Sequence, residues 1–291
     1  MLLRQEGFPN VQHGPVYQGC GGGAGARPPA ARSVLLAARV NADRRGRIWG
    51  LIAEQAVGRS GGQVSAADAC AAAVVAVEVT GAWLTAASNG ETAHLMRVTD
   101  GVSEQLAELQ LTLGEGPSLD AAASGGPVLA SDLAAGESRQ RWPAFAPAAR
   151  QAGVGAVFAF PLRIGAIRAG VLGLYRSRPG PLSIFQLGDA LIFADTATVL
   201  LLDAQDQAKG NHEPGAGPGG QPANLALHRA EIDQATGMLT EQLGLGIADA
   251  FIRLRAYAYT RDLRLTDVAR DIVARRLRLR SDPVPSQDGD A

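Results

Sequence analysis

The stretch Ile232-Asp233-Gln234-Ala235-Thr236-Gly237-Met238-Leu239 lies inside an apolar repeat that decides the fold of the last fifth of the chain. Leu225, His228, Ile232, Ala235 and Leu239 recur at three- and four-residue spacing, the period of one helix face, and the run stops near Gly244. Ile247, Ala250, Phe251, Leu254 and Ala258 repeat the pattern up to Arg261. Leu265, Val268, Ala269, Ile272 and Arg276 repeat it once more, with Thr266 near the start. Three such helices with short connections predict a small bundle over residues 225–281. Residues 225–280 hold ten arginines against seven acidic residues, whereas residues 1–224 carry a net charge of −1 and the tail, 282–291, is acidic.

Upstream, Lys209 to Pro222 is a Gly/Pro-rich run that holds neither helix nor strand, so residues 205–224 read as a linker. Residues 46–204 read as an α+β domain. Ser65 suits the cap of a helix through Ala66–Val75, and strands are expected at Ala82–Ala87 and Ala93–Val98 around Ser88-Asn89-Gly90. A helix over Ser103–Leu111 is broken by Gly114-Glu115-Gly116-Pro117. The clearest hairpin pairs Val157–Ile164 with Ile167–Tyr175 across Gly165-Ala166, where glycine at the first central position suits a type II′ turn. Phe158, Phe160, Leu162 and Ile164 alternate, which predicts one buried face. A helix over Ser183–Asp203 is apolar on more than one side, which suits a fully covered helix inside one domain and, nearly as well, a subunit contact. Residues 1–45 show no sustained periodicity and read as a loose, disordered extension.

Composition narrows the function. With 27 basic and 28 acidic residues, the 291-residue chain as a whole does not coat nucleic acid or an acidic membrane. Lys209 is its only lysine, a bias expected of a GC-rich coding genome. Cys20 and Cys70 make neither a disulfide framework nor a metal site, and the glycines at 19–25 lack the residues of a phosphate loop. No stretch reaches the roughly 20 apolar residues of a membrane helix, and no signal peptide is apparent, so the chain reads as cytoplasmic. His13, His94, His212 and His228 lie in unrelated contexts, and Ser118 is not in a nucleophile elbow. No catalytic residue, metal or cofactor is expected.

The order Ile232–Leu239, then Ala250-Phe251 and Leu254-Arg255, then Leu265-Thr266-Asp267-Val268-Ala269, resembles the ANTAR family of RNA-binding antitermination domains. One departure is Thr236, where the family often has lysine; its absence shifts the expected phosphate contacts towards Arg255 and its neighbours. Leu113-Gly114-Glu115-Gly116-Pro117-Ser118, Arg141-Trp142-Pro143 and the Ala156–Tyr175 hairpin look like the GAF sensor domain that commonly precedes ANTAR in actinobacterial regulators. Some relatives carry cysteine where this chain has Ser118, so thiol sensing is not expected there.

The resemblance implies a GAF-type sheet domain, a three-helix ANTAR bundle, and a homodimer that binds tandem stem-loops of nascent transcripts. RNA-binding candidates are Gln234, Ala235, Thr236, Gly237, Ala250, Arg255, Ala258, Arg261 and Arg264. Small residues let the RNA backbone approach while arginines meet phosphate. Tyr257 and Tyr259 are candidates for base stacking, with Tyr257 equally suited to the core. Trp142, Phe145 and Phe158 are candidates for a small-molecule pocket in the sensor domain. The plain alternatives are a solvated arginine face, a glycine placed for helix packing and aromatics that fill a core. The competing function is a ligand-sensing protein-interaction adaptor that binds no RNA.

Overall fold

Asp68 closes the first turn of helix α2 (Ala66–Val77), its carboxylate accepting from the Ser65 N–H at 2.8 Å and the Ser65 hydroxyl at 2.9 Å. In the computed structural model, residues 29–57, 63–88, 92–210, 223–261 and 263–279 are described. The chain divides into two units, Met1–Ala42 and Asp43–Ala291. Helix α1 spans Pro29–Val57, which corrects the expectation of a loose segment as far as residue 45. The sequence there is rich in Ala, Leu and Arg, all strong helix formers, and proline suits a first helical position. The glycine run at 19–25, the Asn89-Gly90 turn, most of the linker and the acidic tail lie outside the described residues.

After α2 come β1 (Gly81–Ser88), β2 (Thr92–Val98), α3 (Gly101–Leu113), α4 (Pro117–Ser124), β3 (Val128–Ala130), α5 (Gly136–Arg141) and α6 (Phe145–Gln151). The domain closes with β4 (Ala156–Ile164), β5 (Ile167–Arg176) and α7 (Ile184–Gly210). The five strands form one antiparallel sheet in the order β2-β1-β5-β4-β3. Ile164 pairs with Ile167 across the β4–β5 turn, where Gly165 takes φ +58° and Ala166 does not go positive. That is the pattern of a type II′ turn.

Alternation along the strands splits the core into two layers. Leu84, Phe158, Phe160, Leu162 and Leu172 pack with α2, α7 and the end of α1. Trp83, Val157, Ala159, Val171 and Tyr175 pack with α3, α4 and α6. The single buried face expected of β4 is therefore corrected to two, because helices cover both sides; Ile164, at the hairpin end, is exposed. Gly173 pairs with Trp83, and a Cβ there would collide with the indole. The glycine is the space that admits the tryptophan.

Helix α7 also corrects a sequence expectation. Its Ile184–Gln207 portion is, by length and composition, apolar enough to cross a membrane. In the fold it is a core helix: Ala190, Phe193, Ala194, Ala197 and Leu201 are buried on the sheet layer, and Asp189 pairs with Arg44 and Arg47. Ile184, Phe185, Leu191 and Val199 remain exposed on it. The C-terminal bundle is α8 (Ala223–Leu243), α9 (Ile247–Thr260) and α10 (Leu265–Val273), packed around Ile232, Leu239, Leu254, Leu265, Val268 and Ile272.

Candidate nucleic-acid interface and ligand cavity

The bundle sorts the expected RNA-binding residues into three groups. Ala235, Ala250 and Ala258 are fully buried where the three helices meet. Thr236 is buried too, its hydroxyl donating to the Ile232 carbonyl one turn back at 2.7 Å. These four hold the bundle together, and the expectation that they face RNA is corrected. Small residues at helix crossings permit close approach of backbones, and the same sequence signal fits either role.

The second group stays open. Gln234 and Arg261 are exposed, and Arg261 lies over the Tyr257 ring at 5.2 Å. Gly237 shares the Gln234 side of α8, and a Cβ at Gly237 would meet nothing within 4 Å. Helix packing among the described residues thus gives no reason for a mid-helix glycine. Tyr257 packs against the bundle core, whereas Tyr259 is exposed.

Arg255 and Arg264 form the third group, and both are engaged by α3 of the sheet domain. Arg264 Nε donates to Glu108 Oε2 at 2.6 Å and its Nη2 to Glu104 Oε1 at 3.1 Å. Glu108 Oε1 also accepts from the Thr266 hydroxyl at 2.8 Å, in the first turn of α10. Burial lowers the proton affinity of Arg264, but the Glu108 and Glu104 carboxylates more than offset it, for a net rise. Arg255 Nε donates to the Thr112 carbonyl, in the last turn of α3, at 3.2 Å. Burial alone acts on that guanidinium and lowers its proton affinity. Gly114, with φ +71°, ends α3, and a Cβ there would collide with the Arg255 guanidinium. Leu111 adds an apolar contact to the bundle core. Elsewhere, Arg270 pairs with Glu231 and Asp267, and Arg276 with Asp271. The +3 balance of the bundle thus conceals arginines that are already neutralised within the chain.

A cavity of about 90 Å³ opens on the same seam. Trp83, His94, Leu95, Ser118 and Val171 line it from the sheet domain, and Ile232, Arg264 and Thr266 from the bundle. Trp83 Nε1 and Ser118 Oγ are buried without a hydrogen-bond partner among the described residues. Two unmatched polar atoms in a mostly apolar pocket are what a small polar-apolar ligand would satisfy. Sequence reasoning missed this site, because its walls come from seven elements and Trp83 looks like any strand aromatic.

The expected pocket of Trp142, Phe145 and Phe158 is corrected. Phe145 and Phe158 are fully buried in opposite layers of the core, so they cannot share a cavity. Trp142 borders a separate depression, and its Nε1 donates to Asp120 Oδ2 at 3.1 Å. The motifs that carried the resemblance turn out to brace one another. Glu115 Oε1 accepts from the Ala144 and Phe145 N–H groups, both at 2.7 Å, at the start of α6. Asp120 also takes Arg141 Nε at 2.6 Å, and Gln110 Oε1 accepts from the Ser118 N–H at 2.7 Å. Burial pushes the Cys70 thiol up to about 12, so it stays protonated at neutral pH. Among the described residues no cluster of His, Cys, Asp or Glu could hold a metal ion.

A five-stranded sheet covered by helices, followed by a small arginine-bearing bundle, defines a two-domain α+β protein. The family comparisons give the particular domains: residues 65–201 match the GAF domain and residues 226–273 the ANTAR domain. The chain therefore has the architecture of a GAF–ANTAR regulator. Solved structures similar to it include the GAF domain from an Acinetobacter phosphoenolpyruvate-protein phosphotransferase, 15% identical, covering 58% of this chain and 98% of that one with a TM-score of 0.43. The GAF domain of the Coxiella burnetii phosphoenolpyruvate-protein phosphotransferase is 12% identical, covering 58% and 96% with a TM-score of 0.44. The GAF-B domain of DevS from Mycobacterium smegmatis is 18% identical, covering 49% and 94% with a TM-score of 0.36. No curated protein matches the chain.

Proposed function

We propose that the protein is a cytoplasmic RNA-binding antitermination regulator whose sheet domain senses a small molecule. The observation that carries the RNA reading is Gly237, a mid-helix glycine with open space around its missing side chain, beside exposed Gln234. Glycine there destabilises a helix by roughly 1 kcal/mol against alanine. Low relief beside polar groups suits the close approach of an RNA backbone, and Arg261 supplies a guanidinium for phosphate. A homodimer holding two stem-loops would stabilise the antiterminator and deny the terminator its strand. The exposed Ile184, Phe185, Leu191 and Val199 of α7, with Trp49 of α1, supply an apolar surface for such a dimer. Regulation of this kind needs no covalent chemistry.

The sensed molecule fits the seam cavity, where Trp83 Nε1–H calls for an acceptor. A cavity of about 150 Å³ holds benzene, so a space of about 90 Å³ points to a ligand of only a few heavy atoms. Crosslinking the protein to its transcripts in cells and sequencing them tests the RNA reading, with enrichment of paired stem-loops as the expected result. Arg261→Ala should lower that enrichment and flatten the salt dependence of binding by about 0.7–0.9 log units per log unit of salt. If bound transcripts show no paired stem-loops, and the protein's complexes survive RNase, the adaptor reading takes over.

A further inference from the structure

Two of the arginines expected to meet RNA, Arg255 and Arg264, already hold partners in the sheet domain in this structure. Glu108 places one carboxylate against the Arg264 fork and the Thr266 hydroxyl at the start of α10, as a phosphate would sit at a helix N-terminus. Glu104 takes the other edge of Arg264. Arg255 lies on the negative end of α3, with the Thr112 carbonyl as acceptor. We propose that α3 is an internal competitor for RNA: its carboxylates and C-terminal carbonyls occupy Arg264 and Arg255, so docking on α3 and RNA binding exclude each other. This rests on the RNA-binding reading above.

The sign of regulation follows. Arg264 and Thr266 also wall the seam cavity, together with Trp83 and Ser118. An occupant that contacts both walls binds the docked arrangement alone, so it favours that arrangement and weakens RNA binding, and RNA weakens the occupant's affinity reciprocally. The small ligand is thereby a lock rather than a trigger.

The test uses the full chain and a fluorescent two-hairpin RNA at one low salt concentration. Glu104→Gln with Glu108→Gln removes both charges while leaving an acceptor for Thr266, and should tighten binding about threefold to tenfold, the range that two partly exposed ion pairs support. The two carboxylates lie at the surface of the seam, with side chains 24% and 11% exposed, so the amide replacements keep the fold. Glu137→Gln with Asp203→Asn makes the same charge change at exposed sites of the sheet domain outside these contacts and should leave affinity unchanged. Gly114→Ala displaces Arg255 sterically and should tighten binding without any change in charge. The proposal is overturned if wild type and the seam variants bind alike, or if the control gains as much as the seam pair. If no form of the protein binds the RNA, the RNA reading itself falls and takes the proposal with it.

Discussion

The sheet domain and the bundle differ in what fills them. The sheet domain buries Trp83, Phe145, Phe158, Phe160 and Phe193 completely, in two layers on either side of one sheet. The bundle's fully buried residues, among those described, are Ala235, Ala250, Ala258 and Ala269 with Leu239, Leu254 and Leu265, and none is aromatic. Apolar burial stabilises in proportion to area, and a domain this small has little to spare. The polar groups differ in part. In the sheet domain Glu115, Asp120 and Gln110 brace their own domain. In the bundle Arg270 and Arg276 do the same, while Arg255, Arg264 and Thr266 reach out to α3. One domain is built to stand alone and the other to lean on it.

Four substitutions can break or sharpen that contrast. Phe160→Ala should have the largest effect, about 3–5 kcal/mol of stability by denaturant unfolding, and should weaken the docked bundle as well. Leu254→Ala should remove about 2–4 kcal/mol, with hydrogen exchange rising through α8 to α10 while the sheet stays protected. Equal loss of protection in both domains would show that they unfold as one and that the contrast is wrong. Glu115→Ala takes a carboxylate from two backbone N–H groups and should lower the melting temperature by an amount equivalent to about 1.5–3 kcal/mol, with its effect confined to the sheet domain. Gly237→Ala should be the smallest and of opposite sign, stabilising α8 by up to about 1 kcal/mol while reducing affinity for the two-hairpin RNA. A gain in stability with no loss of affinity would remove Gly237 from the interface.

Much of the fold was legible in the sequence. Helical spacing located α8, α9 and α10, and Gly165-Ala166 located the β4–β5 hairpin, because these signals depend only on neighbours along the chain. The burial of both faces of β4 was not legible, since alternation shows that one face is apolar and says nothing of alanine and valine on the other. The site was read less well. Ala235, Ala250 and Ala258 were expected to meet RNA, but in the fold what approaches them is another helix. Arg255 and Arg264 were legible only as candidates for RNA contact, alongside Arg261, whereas Glu104 and Glu108, roughly 150 residues upstream, carry no mark of their partnership. The seam cavity depends on tertiary docking alone.

The pairing of Trp83 with Gly173 has an optical consequence. The chain has three tryptophans, and they stand in distinct settings: Trp49 half exposed, Trp142 bonded to Asp120, and Trp83 enclosed, its N–H without a partner among the described residues. Indole emission shifts to longer wavelength when its N–H gains an acceptor or its surroundings become more polar. Trp83 thus furnishes the protein with an intrinsic fluorophore at the junction of the sheet domain and the bundle. With Trp49 and Trp142 replaced by phenylalanine, its colour would show, without any label, whether a small molecule enters the cavity or the bundle departs.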